Sequence, residues 1–327
     1  MIKSIHIRSP LISVITVCRN AADLIEPTIL SILTQDYGSI EYLIIDGDSS
    51  DNTVKKAQEI AKLFPERKVR VVSEQDAGIA DAMNKGVRLA TGKIIAHLHA
   101  GDRYMDNAVI TRVMNSYKAV GWRWAVAESV VVDKAGRCGH VYRANPDFRI
   151  LLKKNCIPHQ STFLDKDVFD KHGMFRAELK QAMDYEFWLR IVFKGGERYQ
   201  VLPFAATYFL EGGRSAQVIE LIRYLSLLRK ELRAYVPNLT RMDDSIFLGR
   251  VLAFATYARL RDALRKITFG IFTKSLVFFA ALAFFLGYST AGYSESTVRH
   301  SYNRRLSSIK MEKLARPNTE IRAILLL

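Results

Sequence analysis

The chain has 327 residues, 49% of them hydrophobic and 25% charged, enough for one large domain, or one domain plus an extension, around an ordinary core. It has no internal repeat and no low-complexity tract, which excludes repeat architectures. The formal net charge is +15 but uneven: residues 1–216 hold 30 Lys and Arg against 25 Asp and Glu, and residues 217–327 hold 18 against 8, so the last third points to an anionic partner, either lipid headgroups or nucleic acid.

Met1 to His6 lacks the apolar run of a signal peptide, so the N-terminal part is expected in the cytoplasm. Leu11 to Val17 is a β-branched first strand that ends at Cys18-Arg19-Asn20. Ala21 to Gln35 follows as a helix, with Ile25, Ile29, Ile32 and Leu33 on a helical period. Ile40 to Ile45 is a second strand, opening into the acidic turn Asp46 to Thr53, where Asp51 or Thr53 can cap a helix running to about Phe64. Val69 to Ser73, a turn through Asp76 and Gly78, a helix over Ala80 to Leu89, and a strand from Ile94 complete an alternation that argues for a mainly parallel sheet with helices on both faces. Cys18, Cys138 and Cys156 have no metal-type spacing and suit a reducing compartment.

In such a sheet the turns after these four strands share one edge, where open α/β sheets bind ligands. That rim gathers Asn20, Asp46, Asp48, Asp76 and Asp102. Each alone could be a turn or cap residue. Asp102 suits a hard divalent ion, or else caps the helix that follows it.

Further on, Trp124 to Val132 and Arg137 to Tyr142 read as two strands, Asp167 to Lys171 as a short helix, Gln181 to Ile191 as a helix and Gln200 to Phe209 as a last strand. His159 and Gln160 lie in a stretch that mixes polar groups into an apolar setting, where a buried, satisfied histidine competes with a binding role. Asp184 stands at a helix start, a place the helix dipole favours for a carboxylate in any case.

Ser13 to Asn20, Glu41 to Thr53, Ser73 to Gly86 (with Asp76 and Asp81), the Asp102 turn, His159-Gln160-Ser161 and Met183-Asp184-Tyr185-Glu186, in this order and spacing, resemble the family 2 glycosyltransferases, most of all the bacterial exopolysaccharide and colanic-acid type. The resemblance runs from about Ser13 to Ser215 and implies a GT-A fold, a Rossmann-like α/β sheet. It implies donor contacts from Asn20, Asp46, Asp48, Asp76 and Asp81, a metal on Asp102, and Asp184 as catalytic base. His159 and Gln160 would meet the acceptor or the diphosphate. Gly101 stands where many members have another Asp, and Gly47 where some place an Asp on a uracil ring, which leaves the donor base open. The Gln-x-x-Arg-Trp motif of processive synthases is absent, which argues for transfer of a single sugar.

The chemistry asks for these residues independently. A nucleotide-sugar donor leaves as a diphosphate whose charge Mg²⁺ or Mn²⁺ offsets. A hydroxyl acceptor needs a carboxylate to take its proton. A nucleotidyltransferase is the rival enzyme, but Cys18 to Ala22 is a poor triphosphate loop. A nucleotide-sugar-binding protein without catalysis is the rival of a different class.

These readings divide the chain into a catalytic domain over residues 1–216 and a basic, helical, membrane-associating extension over residues 217–327. Gln217 to Val236 reads as an amphipathic helix, with Val218, Leu221, Ile222, Leu225, Leu228 and Leu232 as its stripe and Arg223, Arg229, Lys230 and Arg233 on its flanks. It suits an anionic membrane surface or ordinary packing against the catalytic domain. Ser275 to Tyr288 carries no charge but is shorter than the ~20 residues of a spanning helix. The tail over 294–327 is basic, which favours both ends inside. The expectation is an enzyme at the cytoplasmic face of the bacterial inner membrane, peripheral or monotopic, acting on a saccharide or lipid-linked acceptor, with no nucleic acid partner.

Overall fold

The structure, a computed structural model, describes residues 10–134, 136–211 and 218–234, with 236, 239, 244–245, 247–249, 252–253 and 256. The chain divides into two compact units, Met1–Tyr257 and Ala258–Leu327, and the second lies outside the described residues. So do the apolar run at 275–288 and the basic tail.

The first half alternates as its periodicity requires: β1 (Ile12–Cys18), α1 (Ile25–Leu33), β2 (Ile40–Asp46), α2 (Thr53–Lys62), β3 (Lys68–Ser73), α3 (Ile79–Leu89) and β4 (Ile94–His97). These strands lie parallel in the order β3-β2-β1-β4. β1 and β2 are buried at every position, as expected of parallel strands covered on both faces. Side chains alternate between two cores. Ile15, Val17, Leu43, Ile45 and Ile95 face one of them, while Ile12, Val14, Ile44, Ala96 and Leu98 face the other.

The second half holds β5 (Arg103–Tyr104), α4 (Val109–Val120), β6 (Trp124–Val132), β7 (Cys138–Tyr142), β8 (Thr162–Asp165), α5 (Asp167–His172), α6 (Met183–Leu189) and β9 (Gln200–Leu210). Short 3₁₀ turns occupy Phe148–Leu152 and His159–Ser161, and α6 runs on into one π turn. The sheet continues β4-β8-β6-β9-β5, with β8 antiparallel to both neighbours and β7 paired to β6. The result is a mixed α/β fold with a mostly parallel sheet. β5, β8 and α4 go beyond the sequence reading. The two strands are too short for a period to register, and α4 buries only Val109, Ile110, Val113 and Met114 before Gly121 ends it in a left-handed turn.

Past β9, α7 (Val218–Leu232) packs on one of the two cores that flank the sheet. Leu225, Leu228 and Leu232 are buried there, with Leu239 and Phe247 beyond the helix. Arg229, read from the sequence as a flank cation, is only 2% exposed. Its Nε donates to Asp244 at 2.8 Å, and its guanidinium also donates to the Leu152 carbonyl and lies over the Phe247 ring. This part of the apolar stripe is therefore spent on protein. Among the described residues no helix is long and apolar enough to cross a membrane.

Candidate active site

Side chains knit the ends of β1, β2 and β3 into one rim. Asp46 closes β2 fully buried, and its carboxylate accepts from Ser49 N (2.9 Å), Ser49 Oγ (2.5 Å), Ser73 Oγ (2.7 Å) and, more weakly, Cys18 Sγ (3.6 Å). Asn20, in the left-handed region at φ 49°, accepts from Ser50 N at 2.9 Å, while its own N–H donates to Ser49 Oγ. Asp51 accepts from Thr53 N and from Ala22 N, tying the first loop to the second. Asp46 thus acts by holding the loops. Asp48, exposed and also left-handed at φ 60°, leaves its carboxylate toward solvent.

Asp76 approaches the backbone of Gly47 so closely that a Cβ there would meet its Oδ2 at 2.3 Å. Its other oxygen accepts from Gly78 N at 2.8 Å. Glycine in place of a second aspartate therefore lets the third loop fold over the second. Asp81 accepts from Ala77 N at 3.1 Å and faces Arg88 at 3.8 Å, so it ties down the start of α3.

Asp102 is not a helix cap, because α4 begins only at Val109. Its buried carboxylate has one hydrogen-bond donor among the described residues, the Leu210 backbone N–H at 3.0 Å, and burial pushes its pKa up to about 7. Thr28 of α1, which the sequence reading passed over, holds this turn: its hydroxyl donates to the Asp102 carbonyl at 2.6 Å and accepts from Gly101 N at 3.0 Å. A buried threonine on a helix face is the signal that could have found it. Gly101 takes φ +100°, and a Cβ would press on Leu210 at 3.1 Å, so the turn demands glycine rather than a second aspartate.

Among the described residues, no group of three or more His, Cys, Asp or Glu could hold a metal ion. A single buried carboxylate with spare acceptor capacity nevertheless fits Mg²⁺ or Mn²⁺, which are bound by one or two carboxylates plus substrate phosphates.

Asp184 opens α6 behind Ala182, a non-glycine residue held at φ 58°. Its carboxylate accepts from Asn155 Nδ2 at 3.3 Å, and burial raises its pKa above the ordinary carboxylate value. Glu186, the nearest alternative base, is paired with Arg190 at 2.8 and 3.0 Å.

Gln160 is also engaged internally, donating to Ser129 Oγ at 2.9 Å. His159 has no partner on either ring nitrogen and packs 5.1 Å from His99, 5.4 Å from His97 and 6.2 Å from Trp188 between ring centroids. His97 ends β4 and His99 lies in the turn that follows it. Asn84 supports this cluster from α3 by bonding both the N–H and the carbonyl of Phe175, whose ring packs against His97.

Residues 13–182 match the model of the glycosyl transferase family 2. An uncharacterized glycosyltransferase of Mycobacterium tuberculosis is 30% identical over 189 residues, 56% of this chain and 69% of the relative. A PGL/p-HBAD biosynthesis glycosyltransferase of Mycobacterium bovis is 29% identical over 183 residues, 56% of this chain and 70% of the relative. Among solved structures, the mannosyltransferase PcManGT of Pyrobaculum calidifontis, in complex with GDP-Man and Mn²⁺, aligns with TM-score 0.57 at 20% identity over 92% of this chain and 88% of its own. S. aureus TarS with UDP-GlcNAc aligns with TM-score 0.56 at 17% identity over 74% and 71%. The strand order, the rim of acidic turns and the family match meet on the same residues: the chain belongs to glycosyl transferase family 2 and has the GT-A fold.

Proposed function

We propose that the chain transfers one sugar, with inversion, from a nucleotide-diphosphate donor to a hydroxyl of a saccharide or lipid-linked acceptor, in a reaction that depends on a divalent cation. The observation that carries this reading is the pair of aspartates set beyond β4, Asp102 buried with one donor among the described residues and Asp184 half-buried at the start of α6, its carboxylate bonded by Asn155 and the Tyr185 backbone. The rim from Asn20 through Asp48 and Asp76 receives the nucleotide, with Asp46 and Asp81 holding its loops in place. Asp102 would hold Mg²⁺ or Mn²⁺, whose charge would offset that of the leaving diphosphate. Asp184 accepts the acceptor hydroxyl proton as the new C–O bond forms at the anomeric carbon. The bond to the diphosphate breaks on the opposite side and its electron pair leaves with the phosphate oxygen. The PcManGT complex with Mn²⁺ supports the cation by analogy of fold.

The basic surplus of residues 217–327 and the apolar run from Leu276 to Leu286 support a site of action at the cytoplasmic face of a bacterial membrane, in surface-polysaccharide synthesis. Nucleic acid is not a partner in this reading. The test is a screen of UDP-, GDP- and dTDP-sugars for binding and for donor hydrolysis with Mg²⁺ or Mn²⁺. One donor class is expected to bind and turn over with the metal, and a protein that binds none of them refutes the reading.

A further inference from the structure

Six buried polar atoms without a partner belong to one aromatic column: His97 Nε2, His99 Nδ1, both ring nitrogens of His159, Trp124 Nε1 and Trp188 Nε1. Trp124 stacks on Trp188 at 5.3 Å, Trp188 meets His159, and His159 meets both His97 and His99. A buried polar atom left unpaired is costly, and purely structural positions of this kind are filled by apolar rings. The column is tied to both aspartates. His99 lies three residues before Asp102, and Trp188 lies four residues after Asp184, one turn along the same helix face.

We propose that His99 and His159, backed by His97, bind the hydroxyl groups of the sugar being transferred. This inference rests on the glycosyltransferase reading above and assigns a part of the site that reading leaves open. No Lys or Arg belongs to the column, so it offers no cation to a diphosphate. Burial keeps His97 and His159 neutral at physiological pH, His159 with its pKa lowered to about 4. A neutral imidazole presents one donor and one acceptor, which matches a hydroxyl. His97 is nearly inaccessible, whereas His99 and His159 are half-buried and form the edge a ligand would reach. A site built to bond a hydroxyl discriminates strongly against the deoxy analogue.

The experiment is calorimetry of the full chain with UDP, GDP and dTDP, and with UDP-glucose, UDP-N-acetylglucosamine, GDP-mannose and dTDP-glucose, in wild type, His99→Phe, His159→Phe and His159→Asn. For the base that binds, both Phe variants should hold the nucleoside diphosphate within twofold of wild type and bind the nucleotide sugar at least tenfold more weakly. His159→Asn, which keeps hydrogen-bonding groups, should recover part of that loss. The penalty for a deoxy-sugar donor in wild type should shrink in the Phe variants. Equal weakening of diphosphate and nucleotide sugar overturns the inference in favour of a diphosphate contact. A change only in the acceptor KM, or unchanged binding with a higher melting temperature, overturns it in favour of an acceptor contact or a structural stack. Should His159→Phe not fold, His99→Phe and His159→Asn carry the same comparison. A wild type that binds no nucleoside diphosphate and no nucleotide sugar refutes the glycosyltransferase reading itself, whereas one that binds both, with no difference among variants, refutes only the histidine assignment.

Discussion

Two stretches of the same sheet edge contrast in how their polar groups are treated. At the ends of β1 and β2, the Asp46 carboxylate, the Asn20 amide and the Asp51 carboxylate all bond within the protein. Beyond β4, Asp102 is buried and Asp184 half-buried, with one side-chain or backbone donor each from elsewhere in the chain, and three imidazoles each have a buried ring nitrogen with no partner among the described residues. Satisfied groups build the loops. Groups buried at a cost and left with spare capacity are where substrate chemistry is to be sought. In the proposed reading Asp46 belongs to architecture and Asp102 and Asp184 to the reaction, although all three are aspartates at the ends of secondary-structure elements.

The largest break of this contrast is Asp184→Asn. Loss of a positioned base lowers transfer by about 10²–10⁴-fold while nucleotide-sugar binding stays. The pH profile sharpens the same point. A base works only when ionised, so transfer falls as pH drops through the raised Asp184 pKa, and this acid limb lies above the range of an ordinary aspartate. Rate profiles of wild type and variant at saturating Mg²⁺ or Mn²⁺, where bound metal keeps Asp102 ionised, check it, and the limb should vanish from the residual activity of Asp184→Asn.

Next in size is Arg229→Met. If well-paired polar clusters are structural wherever they occur, removing Arg229 costs about 2 kcal/mol, because Asp244 keeps Arg233 as a second partner while the bond to Leu152 is lost. Denaturant unfolding measures this, and a change under ~1 kcal/mol would mean that α7 contributes little to the fold. The smallest effect is Ala182→Gly. Its left-handed backbone is strained for alanine, so glycine should add roughly 1 kcal/mol of stability, read as a higher melting temperature.

Much of this contrast was legible in the residues. The four parallel strands and their polar turns follow from β-branched runs and turn chemistry, and β6 matches its reading from Trp124 to Val132 to the residue. The distinction between Asp46 and Asp102 was not legible, because both are single carboxylates after an apolar strand. Only the third dimension shows that Ser49 and Ser73 surround one, while the Leu210 N–H, from a strand over a hundred residues away, meets the other. The histidine cluster escaped for the same reason. Its members come from β4, the turn after it and the 3₁₀ turn before β8, and no local period links them. The helix over residues 217–236 could have covered either membrane or protein, and the burial of Leu225, Leu228 and Leu232 shows protein on that part of its face.

The central claim is that satisfied aspartates build the rim and unsatisfied ones do chemistry. It is tested most directly by melting temperature and sugar transfer measured side by side for Asp46→Asn and Asp102→Asn without added metal for the melts. Asp46→Asn loses an acceptor for its surrounding donors and should cost about 1–2 kcal/mol of stability. Asp102 has a folded pKa of about 7, above its unfolded value, so its ionised form costs stability increasingly as pH rises from about 4 through 7. Asn removes that charge and keeps an acceptor for the Leu210 N–H. Asp102→Asn should therefore melt at or above the wild-type temperature at pH 7.5 and yet lose metal-dependent transfer. An Asp102→Asn protein that melts as low as Asp46→Asn, or that keeps near-normal transfer across metal concentrations, would contradict the account.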